Sequence, residues 1–199
     1  MFVSSKAPDI SQSKRQGMAS LRKPTAEDGY ALNRLVAACP PLDTNSVYCN
    51  LLQCTHFRDT CLAAELDGQL VGFVSAYIPP AQADTLFVWQ IAVADQARGQ
   101  GLAKRLLKAL LEQVPVRVRF IETTITPDNQ ASWSLFHSLA RDLNCQLESR
   151  PLFDRERHFD GRHPSEELLS LGPISTVIRG TLAESHVEAN NTHSALNDE

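Results

Sequence analysis

No apolar run in the sequence approaches the ~20 residues that a helix needs to cross a bilayer. Nor does an apolar stretch follow the charges near residue 1, as it would in a secretory leader. Both absences predict a cytoplasmic protein. Excess positive charge is missing too: 19 Lys and Arg stand against 23 Asp and Glu. The resulting net charge of −4 argues against non-specific nucleic-acid binding, which rests on cations neutralising phosphates. A small-molecule substrate is the more natural partner. The five cysteines, Cys39, Cys49, Cys54, Cys61 and Cys145, are odd in number and hold no C-x-x-C pair. They support neither a disulfide framework nor a zinc knuckle, and reduced, packed thiols are expected. There is no glycine turn ending in Gly-Lys-Ser/Thr, no G-x-G-x-x-G and no internal repeat, which sets aside a P-loop and a dinucleotide-binding fold.

What is present is an ordinary globular composition, 43% hydrophobic and 21% charged, on a chain of 199 residues that suits one domain better than two. Residues 1–18 and 181–199 are polar and poor in apolar side chains, so a disordered arm and tail are expected around a domain at 19–180. A short edge strand at 21–24 leads to Thr25 and Asp28, which have capping-box spacing. Leu32, Leu35 and Val36 then give a helix its apolar face, ended by Pro40-Pro41. Val47, Leu51 and Cys54 predict a second helix. Asp67-Gly68-Gln69 between apolar runs at 61–66 and 70–78 is a hairpin signal. The run at 86–93 reads as a central strand, and Leu102, Leu106, Ala109 and Leu110 as a helical stripe ending near Pro115. A strand at 119–125, a helix carrying Trp133, Phe136, Ala140 and Leu143, and a strand at 145–148 follow. Residues 153–164 read as a loop and 174–178 as a possible closing strand.

The most informative stretch runs from Trp89 to Ala103, where the strand at 86–93 passes through a glycine-spaced turn into a helix start. Amides at such a junction have no intrahelical acceptors, and the helix dipole adds positive potential, so a diphosphate fits there without a lysine. Gly99 and Gly101 allow positive φ and close approach of a ligand.

Gln96-x-x-Gly99-x-Gly101 in this strand-turn-helix context resembles the acetyl-CoA signature of the GNAT superfamily of N-acetyltransferases. Asn129, Ser132, Leu135 and Phe136 resemble its second signature, N-x-x-S-x-x-L-F/Y. The resemblance implies an α/β fold: a mixed, mostly antiparallel sheet with helices on both faces and with the strands at 86–93 and 119–125 splayed to admit pantetheine. It implies acetyl-CoA as cosubstrate, no metal, and cofactor contacts from Ile91, Ala92 and Val93, from Gln96, Arg98, Gly99, Gln100, Gly101, Leu102 and Ala103, and from Asn129, Ser132 and Phe136. The tyrosine that commonly protonates the leaving thiolate stands here as Phe136, so water or another donor must serve.

Further segments, residues 41–48, 89–93, 124–129 and 161–166, extend the resemblance to the diaminobutyrate acetyltransferase family of ectoine biosynthesis over about residues 20–178. That implies a homodimer and an acceptor with one carboxylate and two amines, acetylated on the γ-amine. Asp43 and Glu166 are then the candidate ammonium clamp, Thr44, Asn45 and Tyr48 supply polar contacts, Trp89 a wall and cation–π face, and His163 a bond to either end of the substrate. Trp89 and Glu122 are the catalytic candidates, Glu122 as general base. Each has a plainer reading: Asp43 as a helix cap, Trp89 as core, Glu122 as a salt-bridged or solvent-facing carboxylate. His158, His163, Glu166 and Glu167 fit no standard zinc spacing. Other acceptors, whether small diamines or protein amines, and a non-catalytic acetyl-CoA sensor are the competing functions.

Overall fold

The computed structural model describes residues 17–175, so apart from Gly17 and Met18 the expected arm and tail lie outside the described residues. Among the described residues seven strands form one sheet in the order β1-β2-β3-β4-β5-β7-β6. They are β1 (Ser20–Arg22), β2 (Cys61–Leu66), β3 (Gln69–Tyr77), β4 (Thr85–Val93), β5 (Phe120–Ile125), β6 (Gln146–Phe153) and β7 (Glu166–Gly172). Only β4 and β5 run parallel; every other pairing is antiparallel. The mixed, mostly antiparallel sheet expected from the resemblance is therefore present.

The predicted hairpin closes β2 on β3 with Leu66 opposite Gln69. Asp67 (φ 50°) and Gly68 (φ 73°) are both left-handed, as a two-residue turn matched to strand twist requires. Helices cover both faces. On one side lie α3 (Leu102–Gln113) and α4 (Gln130–Asp142), on the other α1 (Asp28–Ala37) and α2 (Val47–Thr55). The α3 stripe does what its spacing predicts: Leu106 and Leu110 are fully buried, each stabilising the fold by ~2–3 kcal/mol. Leu32, Leu35 and Val36 of α1 pack on Phe73 and Ala92 on the opposite face. The capping box is half formed, two residues ahead of the N-cap Glu27: the Thr25 N–H donates to Asp28 Oδ2 at 2.8 Å.

All five cysteines are free; Cys39, Cys54 and Cys61 are buried, and burial pushes the Cys54 and Cys61 thiols up to about 12. No described helix is long and apolar enough to cross a membrane.

The carboxyl-side third departs from the sequence reading. The strand at 145–148 continues to Phe153 as an edge strand, where Pro151 is tolerated. The expected loop holds a short helix, α5 (Arg155–Phe159), whose first turn is capped by Asp154 Oδ1 accepting from Glu156 and Arg157 N–H groups at 3.0 and 2.9 Å. The closing strand is β7, eight residues earlier than expected. Ile174 and Ser175 lie outside any strand, and residues 176–178 are outside the described residues.

Candidate active site

The sheet is open where the glycine turn begins. β4 and β5 pair only through Thr85, Leu86 and Phe87 and then part. Within β4 the register against β3 skips from Val88 to Gln90, which leaves Trp89 as the extra residue of a bulge. Past the bulge the Ala94 N–H donates to Val71 C=O on β3 at 2.9 Å. Strand alternation therefore directs the amides of Ile91 and Val93 away from β3, into the opening. The Val93 carbonyl there is already occupied, accepting from Arg98 Nε at 3.0 Å and the Cys39 thiol at 3.3 Å.

A cleft of about 350 Å³ fills the opening, lined among others by Ile91, Val93, Arg98, Ala103, Asn129, Ser132 and Phe136. Ala92 is a correction: its side chain is 2% exposed in the core under α1, and alternation turns its backbone to β3, so it does not line the cleft. Gln96, Gly99, Gln100, Gly101 and Leu102 do not line the enclosed part either; they form the turn and helix start between Arg98 and Ala103, which do. Gly99 (φ 74°) and Gly101 (φ 71°) are left-handed, and a Cβ at either would meet nothing within 4 Å. No side chain caps α3. Its ladder opens with the Arg105 N–H donating to Gly101 C=O at 3.0 Å, which leaves the preceding amides without intrahelical acceptors. Asn129 caps α4, its Oδ1 accepting from the Ser132 N–H at 3.1 Å. Phe136, 3% exposed, presents an apolar ring and no hydroxyl.

A second cavity of about 890 Å³ meets this cleft along Trp89, Gln90, Thr124, Ile125 and Asn129, which line both. Trp89 is 42% exposed, so the core reading gives way to a cavity wall. Its ring meets Tyr77 edge-on at 6.4 Å, and Tyr77 meets Phe87 at 5.2 Å with the two rings tilted by 39°. In the same cavity, His163 Nε2 lies 3.5 Å from Asp43 Oδ2 and 3.9 Å from Glu166 Oε1. His163 Nδ1 is 2.7 Å from the Pro164 carbonyl, which can only accept, so Nδ1 donates there and Nε2 is the ring atom that faces the two carboxylates. Phe159 of α5 packs on the imidazole with centroids 4.7 Å apart.

Asp43 does not cap α2; Ser46 does, its hydroxyl accepting from the Cys49 N–H at 3.1 Å. Asn45 lines the cavity, but its Nδ2 is committed to Gln90 Oε1 at 2.7 Å. Thr44 and Tyr48 line neither cavity, and Tyr48 is 70% exposed, because the register of α2 turns Asn50 and Cys54 inward instead. Glu122 also lines neither. It lies opposite Phe87 and Ser170, one step of the pleat before Thr124, which does line both. Phe57, Tyr77, Phe87, Gln90 and Thr124 are lining residues that sequence reasoning missed. One signal was available for Gln90, a polar side chain inside an otherwise apolar strand. Among the described residues no group of three or more His, Cys, Asp or Glu could hold a metal ion.

A sheet parted beside an uncapped helix start, with the resulting cleft meeting a carboxylate-flanked pocket, defines a thioester-dependent acyltransferase. The chain belongs to the acetyltransferase (GNAT) family, whose model matches residues 30–140. It is 54% identical over 160 residues to the L-2,4-diaminobutyric acid acetyltransferase of Methylotuvimicrobium alcaliphilum, covering 79% of this chain and 92% of that one. The Vibrio cholerae enzyme of the same name is 50% identical over 148 residues, 74% of this chain and 86% of that one. In structure it resembles the diaminobutyrate acetyltransferase EctA of Paenibacillus lautus, solved with L-2,4-diaminobutyric acid and coenzyme A. There the TM-score is 0.77 and the identity 40%, over 80% of this chain and 98% of that one.

Proposed function

We propose that this enzyme transfers the acetyl group of acetyl-CoA to the γ-amine of L-2,4-diaminobutyrate, giving N4-acetyl-L-2,4-diaminobutyrate for ectoine biosynthesis. The observation that carries the reading is the pairing of Asp43 and Glu166 in a cavity that joins the cofactor cleft at Trp89. A diamino acid needs anionic groups for one ammonium and an apolar passage that brings the other, uncharged, to the thioester. The names of the relatives, and the two ligands held by the Paenibacillus enzyme, support the same acceptor.

Amides of Ile91 and Val93 bond the pantetheine arm as an added strand would, and those from Gly99 to Ala103 hold the diphosphate. Asn129, Ser132 and Phe136 close the other side. The α-ammonium settles between Glu166 and Asp43, and the aromatic wall of Tyr77, Phe87 and Trp89 favours loss of charge from the γ-ammonium by desolvation. Water in the cavity carries that proton away. Glu122 stands too far along β5 to line the acceptor cavity and is left out of the reaction. The neutral nitrogen adds to the thioester carbonyl, β4 amides stabilise the oxyanion, the nitrogen gives up its second proton to water, and the C–S bond breaks. Since an ordinary thiol titrates near ~8.5, the sulfur departs as a thiolate that water protonates, and Phe136 needs no hydroxyl.

Thiol release on mixing the protein with acetyl-CoA and diaminobutyrate, with product regiochemistry read by NMR, tests this. Acetylation at N4 and a rate that climbs with pH are expected; no thiol release, or acetylation of the α-amine, refutes it. The family resemblance further supports a homodimer. Sedimentation at twice the chain mass is the corresponding expectation for assembly.

A further inference from the structure

α2 buries two amides where apolar side chains would pack: Asn50 is fully buried and Gln53 is 2% exposed. Asn50 Nδ2 donates to Gln53 Oε1 at 2.9 Å. From α1, Asn33 Nδ2 donates both to Asn50 Oδ1 at 2.9 Å and to the Asn45 carbonyl at 2.7 Å. Asn45 Nδ2 donates to Gln90 Oε1 at 2.7 Å, and Gln90 Nε2 donates to the Asp43 carbonyl at 2.8 Å. Five amide side chains thus connect the inside of α2 to the loop that carries Asp43.

The direction of each link is set by chemistry. Main-chain carbonyls only accept, so Asn33 and Gln90 must turn their NH2 groups toward the loop. Asn50 must then meet Asn33 with its oxygen and Gln53 with its nitrogen. Among the described residues, that orientation leaves Gln53 Nε2 as a buried donor with no partner. A buried orphan donor costs stability, and apolar residues of similar volume in its place do not. The arrangement therefore has no rationale as packing. Its one structural consequence lies at the other end, where the carbonyls of Asp43 and Asn45, in a stretch with no helix or strand, are both tied down.

We propose that Asn33, Asn50 and Gln53 are positioning residues: without touching substrate, they hold the 43–45 loop so that the Asp43 carboxylate meets the acceptor's ammonium. The inference rests on the acceptor reading above. Two variants test it by steady-state kinetics and thermal melting. Asn50→Leu/Gln53→Met removes the inner amides at similar volume, and Asn33→Ala removes both donations at a half-buried helix position where alanine suits the backbone. In each, KM for diaminobutyrate is expected to rise about fivefold, a typical size for coupling through residues that contact no ligand. KM for acetyl-CoA and kcat should stay within about twofold, and the double variant should melt no lower than wild type, since the orphan donor goes with it. Unchanged KM for diaminobutyrate overturns the proposal, as does an equal rise in both KM values, which would mark general loosening. If the double variant does not fold, Asn33→Ala decides alone. A wild-type protein that fails to acetylate diaminobutyrate would sink the acceptor reading instead; an active wild type with unaltered variants sinks only this one.

Discussion

Glu166 and Asp43 bring the same charge to the acceptor cavity from unlike surroundings: the Glu166 side chain is 19% exposed and that of Asp43 77%. Two unit charges 4 Å apart attract by about 1 kcal/mol in water and about 4 kcal/mol at the effective dielectric near a protein surface. The more buried carboxylate therefore holds an ammonium more tightly, and the exposed one depends more on where its loop is fixed. Glu166→Gln is expected to raise KM for diaminobutyrate by about tenfold or more, the equivalent of a charged hydrogen bond worth ~1.5–3 kcal/mol. Asp43→Asn should raise it by only about two- to fivefold, within the range of exposed ion pairs. KM for acetyl-CoA should move in neither. Initial-rate measurements with both substrates varied check the ranking, and a larger effect at Asp43 would reverse the assignment. The resemblance singled out both carboxylates in the sequence, and the fold places both on one cavity. Tyr77 and Phe87 were not legible there, because their ring contact depends on a cross-strand register, Tyr77 against Phe87, that no local pattern reveals.

Elements announced by turn chemistry were readable: the Asp67-Gly68 hairpin, and the strand running through Gly99 and Gly101 into α3. β7 was not. Leu168, Leu169 and Leu171 show no period of two, since the strand sits between β5 and β6, and leucine favours helix as readily as sheet. β1 and α1 illustrate how a capping-box spacing conceals a different partner. The Asp28 carboxylate accepts from Arg22 Nη1 and Nη2, both at 2.8 Å, and from the Thr25 N–H, while Arg22 Nε reaches Glu65 on β2 at 2.9 Å. The Arg22 hydrogen bonds, and after them those of Thr25, hold Asp28 below the usual carboxylate range. A depressed native value stabilises the fold above the unfolded pKa, near ~3.9, and that stabilisation is lost as pH falls from there through the native value. Asp28→Asn is thus expected to cost about 1–3 kcal/mol at pH 7, with variant and wild type converging as the medium becomes more acid than pH ~4. Urea unfolding at a series of pH values measures this, and a gap that does not narrow in acid would show that the ion pair is not its source.

Across the whole molecule, the sheet parts in its middle, at the cleft proposed for the cofactor. β4 meets β5 through three registered pairs, whereas β2 meets β3 through six. The cleft draws one wall from β4 and the start of α3 and the other from α4, through Asn129, Ser132 and Phe136. A cofactor seated there bonds to both sides of the parting and replaces ladder bonds that the open strands leave unmade. Ligand at about 100 times its Kd adds ~2.7 kcal/mol to native stability. For a domain of this size that raises Tm by about 5–10 °C. Gly101→Val places a β-branched side chain at φ 71°, where a non-glycine residue costs ~1–2 kcal/mol, and its Cβ would project into space that is now open at the helix start. The variant should melt a few degrees lower without ligand, lose most of the shift given by acetyl-CoA, and keep the shift given by diaminobutyrate, whose carboxylate partners lie in the other cavity. Scanning calorimetry with each ligand in turn separates these outcomes: an undiminished acetyl-CoA shift in the variant would place the diphosphate somewhere other than the amides ahead of α3.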